Sequence, residues 1–279
     1  MKKPVITISS HVVRGSVGNR ASAFALETRG HPVWAVPTIT LPYHPGHGTA
    51  TRIVPGHGRF QSLLDDLADS PWAAELGGVL TGYMADAVQA EATARFTARL
   101  KQRNPNLLHL CDPVIGDEGG LYVSGETAAA IRDHLAARAD ILTPNRFELQ
   151  WLSGEDVLDA GSARKAAEHL APAMILATSI PAMMRGNIAN LLVHENGAML
   201  AEHRMVENAP KGPGDAAAAV FLSRLLDGES PEKALQATTA SIFELVARAT
   251  RRGADELMLE TDSASLLRPA AMVSTRKLI

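Results

Sequence analysis

Residues 208–226 read "NAPKGPGDAAAAVFLSRLL", a Gly-Pro-Gly-Asp turn that runs straight into alanines and leucines. Two glycines and a proline oppose regular structure up to Gly214, whereas Ala216–Leu226 is strong helix material. The stretch therefore predicts a tight turn on a helix N-terminus with Asp215 in the first helical turn. Unpaired backbone N–H groups and the positive end of the helix dipole make such a place attractive to anions. The plainer reading of Asp215 is an ordinary capping acid, and the rest of the chain has to decide between the two.

Working outward, β-rich apolar runs alternate with helical patterns over the whole chain. Strands are expected at Pro4–Ser9, Val33–Thr40, Gly78–Thr81, Leu107–Cys111, Asp140–Leu142 and Met174–Ala177. Between them the pattern predicts helices at Val17–Arg29, from Phe60 to Leu67, Ala87–Gln102, Gly125–Arg138, Pro144–Leu152 and Ala163–Leu170. Ile188–His194 and Ala198–His203 flank an Asn196-Gly197 hairpin signal, and a second long helix begins near Pro231. This alternation predicts an α/β protein with a mostly parallel central sheet, helices on both faces and an antiparallel hairpin at one edge, in one domain over 1–279. Leu41–Arg59, rich in proline, glycine and histidine, is expected to be a long irregular loop, a kind that is usually functional.

The 279 residues are 46% hydrophobic and 20% charged, as in a globular protein, and the net charge of −3 argues against a nucleic-acid partner. The single cysteine, Cys111, excludes an intramolecular disulfide and a cysteine-built zinc site, and inside an apolar strand it reads as a buried small hydrophobe. The opening MKKPVITISS lacks the apolar core of a signal peptide, and no run reaches the ~18 apolar residues of a membrane span. A soluble protein of a reducing compartment, most simply the cytoplasm and without a membrane partner, is expected.

In parallel α/β sheets ligands bind beyond the carboxyl ends of the strands. That edge collects polar residues here: Ser10 and His11, Thr81 to Tyr83, Asp112 and Asp117, Thr143, Asn145 and Glu148, Thr178 and Ser179, then Asp215. Asp112, Asp117 and Glu148 are candidate ligands for a hard cation, which takes few carboxylates and shares substrate phosphates. Singly, Asp112 beside Pro113 also fits a turn, and Glu148 a first-turn helix acid. Gly212 and Gly214 let backbone approach a phosphate, and Asp215 could accept the proton of an attacking hydroxyl, so phosphoryl transfer is the chemistry that fits. There is no G-x-x-x-x-G-K-[ST] phosphate loop.

Six stretches carry a resemblance: "SHVVRGSVGNRASAF" at 10–24, "LTGY" at 80–83, "NPNLLHLCDPVIGDEGGLYV" at 104–123, "ADILTPNRFELQWLSG" at 139–154, "ATS" at 177–179 and the turn at 212–215, with "STRKL" closing the chain. In this order they resemble the pyridoxal kinases of the ribokinase-like superfamily. The resemblance implies a ribokinase-like three-layer sandwich, a homodimer, and ATP-dependent phosphorylation of the 5′-hydroxymethyl group of pyridoxal, with pyridoxine and pyridoxamine as further acceptors. It implies that Ser10, Val17, His44 and Tyr83 hold the vitamin, His44 from the loop above it. Asp112 and Glu148 would act through Mg2+ and its waters, with Asp117 and Asn145 near the triphosphate. Tyr122, Thr143, Thr178 and Ser179 would serve the nucleotide or a monovalent cation, K+ or Na+. Asp215 would be the base, with Gly212 and Gly214 shaping the anion hole. The chain departs from the resemblance at Pro213, where members carry a residue with an N–H, and at "LPYHPGHG", where they carry a more polar loop. A kinase for another hydroxymethyl heterocycle, such as a pyrimidine, and a catalytically weak vitamin-binding relative are the competing readings.

Overall fold

The computed structural model describes residues 2–278. Eleven strands form in chain order among these residues: β1 (Val5–Val12), β2 (Val33–Leu41), β3 (Gly78–Thr81), β4 (Leu108–Cys111), β5 (Gly116–Asp117), β6 (Gly120–Leu121), β7 (Ile141–Leu142), β8 (Met174–Pro181), β9 (Asn187–His194), β10 (Gly197–Arg204) and β11 (Ser274–Leu278). The main helices are α1 (Asn19–Thr28), α2 (His57–Asp69), α3 (Ala87–Arg103), α4 (Gly125–Ala130), α5 (Arg146–Ser153), α6 (Ala160–Glu168), α7 (Pro213–Leu226), α8 (Pro231–Arg251) and α9 (Ala264–Leu267).

Nine strands make one sheet in the order β11-β10-β9-β8-β7-β4-β3-β1-β2, and β5 with β6 forms a separate small hairpin. From β2 to β8 neighbours are parallel, while β8, β9, β10 and β11 pair antiparallel in turn. The expected hairpin is β9–β10, but the edge lies one strand further out. The "STRKL" segment pairs with β10 from Ala198↔Leu278 to Glu202↔Ser274 and shields it.

Both faces of the sheet are buried, which is why its parallel strands read as nearly continuous apolar runs. Ile6, Ile8, Val79 and Cys111 belong to one core, shared with Phe60 and Leu64 of α2 and Phe96 and Leu100 of α3. Val5, Leu80 and Leu110 face the other, against Leu26 of α1, Phe221 and Leu222 of α7 and Leu245 of α8. The result is three layers, helix on sheet on helix. Among the described residues no helix is long and apolar enough to cross a membrane.

Two expected boundaries shift for local reasons. The helix expected from Ala216 begins at Pro213, because proline has no N–H to lose at the first helical position and its φ is already helical. The helix expected over Gly125–Arg138 is α4 followed by a π turn at Ile131–Leu135 and a 3-10 turn at Ala136–Arg138. The loop after β2 has little regular structure, as expected. It carries a 3-10 turn at Pro45–His47 and folds back so that Ile53 pairs with Thr40.

Candidate active site

The parallel strands do not stop where their side chains leave the core, and backbone pairing continues one step past their ends. Gly82 N donates to Ile8 O (2.9 Å), Asp112 N to Thr81 O (2.8 Å), Thr143 N to Cys111 O (3.0 Å) and Thr178 N to Pro144 O (2.8 Å). These four bonds carry the polar residues of neighbouring strand ends to one rim on rigid backbone. The sequence pattern predicted that rim.

Three carboxylates define its centre. Asp112 is 7% exposed and Glu148 3%. Burial, then the charges of Glu148 and Asp215, push Asp112 well above the usual carboxylate range, although Thr143 Oγ1 donates to Asp112 Oδ1 at 2.9 Å. Glu148 is pushed up to about 7 by burial. The rise occurs despite three backbone donors: Ile115 N (2.9 Å) and Gly116 N (3.4 Å) on Oε1, and Asn145 N (2.9 Å) on Oε2. Glu148 is thus also the first-turn helix acid that its position suggested, forming a capping box with Asn145 on α5. Asp215 is the third residue of α7 and is raised to about 6 by burial, against hydrogen bonds from the backbone of Gly18 and from its own N–H. Acids that burial raises, with Glu148 and Asp215 adding their charges at Asp112, are costly without a compensating cation. Among the described residues no three His, Cys, Asp or Glu side chains converge tightly enough to cage a metal. Asp112 and Glu148 are the two carboxylates of this rim that fit Mg2+, an ion that takes one or two carboxylates and otherwise waters and phosphate oxygens.

The turn before α7 is shaped by close approach. Gly212 caps the helix at φ 99°, and a Cβ there would lie 2.2 Å from the carbonyl oxygen of Ser16. A Cβ on Gly214 would meet nothing within 4 Å. Gly214 therefore faces open space with an N–H at the helix N-terminus, whereas Pro213 offers none.

Val17 precedes Gly18 in the chain and Ser10 adjoins it in space, Tyr83 packs near Val17, and His44 lies by Lys211, the neighbour of Gly212. Gly18, whose N–H reaches Asp215, packs so closely on Ser10 that a Cβ would sit 2.3 Å from Ser10 O. Val17 joins Val12, Ile39 and Leu41 in a small apolar cluster against which Tyr83 packs. Tyr83 N donates to Ser9 Oγ (3.1 Å), and its hydroxyl accepts from Arg52 (2.9 Å). His44 caps the turn Pro45–His47, and burial followed by the charge of Lys211, the residue before Gly212, lowers its pKa.

The rest of the rim holds the residues expected near nucleotide. Asn145 Nδ2 donates to Gly116 O (2.8 Å), and Asn145 pairs with Thr178. Ser179 sits in a bulge of β8 at φ 58°. Asp117 is turned into its own hairpin, where it accepts from the Tyr122 hydroxyl and from Gly119 N (2.8 Å). Sequence reasoning missed Gly18, although "SVGNRAS" offered a glycine before a helix start, and it missed Ser16 and Glu256. Cys111 is buried and its thiol is pushed up to about 12 by burial, which leaves it inert beside the site.

Comparison with known proteins places the chain among kinases of this fold. A family model for phosphomethylpyrimidine kinase matches residues 74–260. A protein of Rubrobacter xylanophilus named pyridoxal kinase PdxY is 35% identical over 98% of this chain and 97% of its own length. Its namesake from Granulibacter bethesdensis is 34% identical over 95% and 96%. The structure of a pyridoxal kinase from Leishmania donovani in complex with ADP and pyridoxine superposes with a TM-score of 0.92 at 26% identity, covering 99% of both chains.

Proposed function

The chain belongs to the pyridoxal kinase family of the ribokinase-like superfamily, and on that premise we propose that it transfers the γ-phosphoryl group of ATP to the 5′-hydroxymethyl oxygen of pyridoxal, with pyridoxine and pyridoxamine as further acceptors. One observation carries the reading. Asp215 stands at the N-terminus of α7, its carboxylate raised to about 6 by burial, with its charge reaching Asp112 of the acid rim and its carboxylate accepting from the backbone of Gly18. A base poised near the working pH can take a hydroxyl proton and return it to water.

In this reaction the 5′-oxygen attacks the γ-phosphorus, the bond to the β–γ bridging oxygen breaks, ADP leaves, and the hydroxyl proton passes to Asp215. Gly18 N–H keeps the Asp215 carboxylate aimed across the turn, and Gly212 brings the backbone in close. Gly214 presents its N–H, with the helix dipole, to the charge that develops on the transferring group. Asp112 and Glu148 would hold Mg2+ largely through its waters, with Thr143 fixing Asp112; bound there, the ion neutralises phosphate charge. Asp117, Tyr122, Asn145, Thr178 and Ser179 are assigned to the nucleotide side. Ser10, Val17, Tyr83 and His44 are assigned to the vitamin. One catalytic domain over the whole chain, in line with relatives matched over nearly their full length, completes the proposal together with a homodimer and a cytoplasmic setting.

A hydroxymethylpyrimidine kinase is the second reading, favoured by the description of the matching family model. That match starts at residue 74, so it covers the phosphate half of the site and Tyr83 but leaves out Ser10, Val17 and His44 of the vitamin half. An ADP-coupled assay with Mg-ATP and pyridoxal, pyridoxine, pyridoxamine or hydroxymethylpyrimidine separates the two. Turnover of pyridoxal is expected, lost in Asp215→Asn while pyridoxal binding persists. Turnover confined to the pyrimidine would overturn the assignment.

A further inference from the structure

Glu256 lies in the segment between α8 and α9 and is 6% exposed, yet no part of the reaction described above uses it. Its Oε2 accepts the main-chain N–H of Ser16 at 2.5 Å. Its Oε1 meets His47 Nε2 at 3.0 Å, with Arg14 approaching at 3.7 Å. The flanking backbone pairs with Lys211, whose N–H donates to Asp255 O (2.9 Å) and whose carbonyl accepts from Leu257 N (3.1 Å). The Glu256 carboxylate therefore ties the β1–α1 connection to the loop after β2, while the backbone on either side of it holds the strand-like entry to Gly212. Gly15 leaves it room: at φ 116°, a Cβ on that residue would fall 2.1 Å from Glu256 Oε2.

The segments joined in this way are those assigned to the vitamin. The turn Pro45–His47, which His44 caps, is held at its far end by His47 on Glu256. Otherwise the loop is attached through Arg14 N on Pro42 O (2.9 Å) at its start, the Thr40–Ile53 pair and Arg52 on Tyr83, with Asp255 standing 3.7 Å from His47. Ser16 in turn provides the carbonyl against which Gly212 packs, two residues before Gly18.

We infer that Glu256 is a positioning residue for the vitamin site, holding the loop that carries His44 through His47 and the Gly18 segment through Ser16. The inference rests on the vitamin assignment made above. It predicts that Glu256 governs affinity for the vitamin and leaves the nucleotide side alone.

The test compares wild type with His47→Gln, Glu256→Gln and the double variant. Hydrogen–deuterium exchange over residues 42–56 is measured without ligand, and KM and kcat are measured for pyridoxal and ATP. Glutamine at 256 keeps an oxygen for Ser16 N–H and loses the charge that meets His47 and that Arg14 approaches. Each single variant is expected to speed exchange in 42–56 and raise KM for pyridoxal about tenfold, the usual scale of one charge-assisted hydrogen bond, with KM for ATP unchanged. The double variant is expected to match the worse single one, because both remove one contact. Unchanged exchange in both singles overturns the inference, as do losses that add in the double variant or that move both KM values alike. Absence of pyridoxal turnover in wild type would instead overturn the kinase reading, and the exchange experiment would still decide the His47–Glu256 hold.

Discussion

Replacing Gly212 with alanine tests the shape of the anion-binding turn. The new methyl would start 2.2 Å from the carbonyl oxygen of Ser16 and 3.3 Å from its carbon, so the turn and Ser16 must separate by about 1 Å to reach ordinary contact. The obstacle is backbone and cannot swing aside. Ser16 is itself held at its N–H by Glu256. A backbone φ of 99° costs an L-residue a further ~1–2 kcal/mol. Together these predict a destabilisation of about 2–4 kcal/mol, which for a chain of this size is a fall in Tm of roughly 5–12 °C. A shift of about 1 Å in the phosphate-facing N–H groups predicts a loss in kcat on the order of 100-fold. Gly214→Ala is the control, since its Cβ meets nothing within 4 Å and its backbone is helical. That variant should keep or slightly gain stability, by up to about 1 kcal/mol, yet lose turnover because its methyl enters the space reserved for the phosphoryl group. Thermal melts and the ADP-coupled assay read both effects. Gly212→Ala with Tm within 1–2 °C of wild type and kcat within about twofold would refute the reasoning.

Other consequences follow from the acids and from Pro213. Asp215, raised to about 6, must be ionised to take a proton, so kcat/KM for pyridoxal should fall below about pH 6 with unit slope; an acid limb inflecting below pH 5 would deny it the role. Because burial raises Asp112, Glu148 and Asp215 in the folded protein, with like charge adding to it at Asp112 and Glu148, their contribution to stability is full at low pH. It is lost as the pH rises from their ordinary values, 3.8 and 4.5, to about 6 and 7 for Asp215 and Glu148 and further for Asp112. Asp112→Asn should therefore raise Tm at pH 8 by several degrees, on the scale of roughly 1–3 kcal/mol, while lowering turnover. The gain should shrink as the pH is taken toward 4, and a loss of Tm at pH 8 would contradict it. Pro213→Ala should lower Tm by about 1–3 °C through unfolded-chain entropy and leave kcat within about threefold. A tenfold gain in kcat would show that proline had removed a working phosphate donor.

What could be read along the chain was whatever a few neighbouring residues decide. Apolar runs of alternating period announced the three layers, and Gly-Pro-Gly-Asp before a row of alanines announced the helix terminus and its acid. The strand-end rule then brought Asp112, Thr143, Asn145, Thr178 and Asp215 to one rim, because parallel strands share a direction and so must share an edge. Where local preferences compete, the chain alone was ambiguous. Proline could end the turn or begin α7; with Gly212 as the cap, it begins the helix, where its missing N–H costs nothing. Glu148 could cap a helix or stand among the acids; folded, it does both, since Asn145, Ile115 and Gly116 surround a carboxylate that burial keeps near 7. Glu256 carried no local mark at all. Its partners Ser16 and His47 lie 240 and 209 residues away, and a carboxylate acquires such neighbours only when the loops of one sheet edge close over it. Propensity and periodicity are properties of adjacent residues and survive in the unfolded chain, whereas the distances that raise the acids, seat the loop and shape the turn exist only once distant segments share one desolvated space.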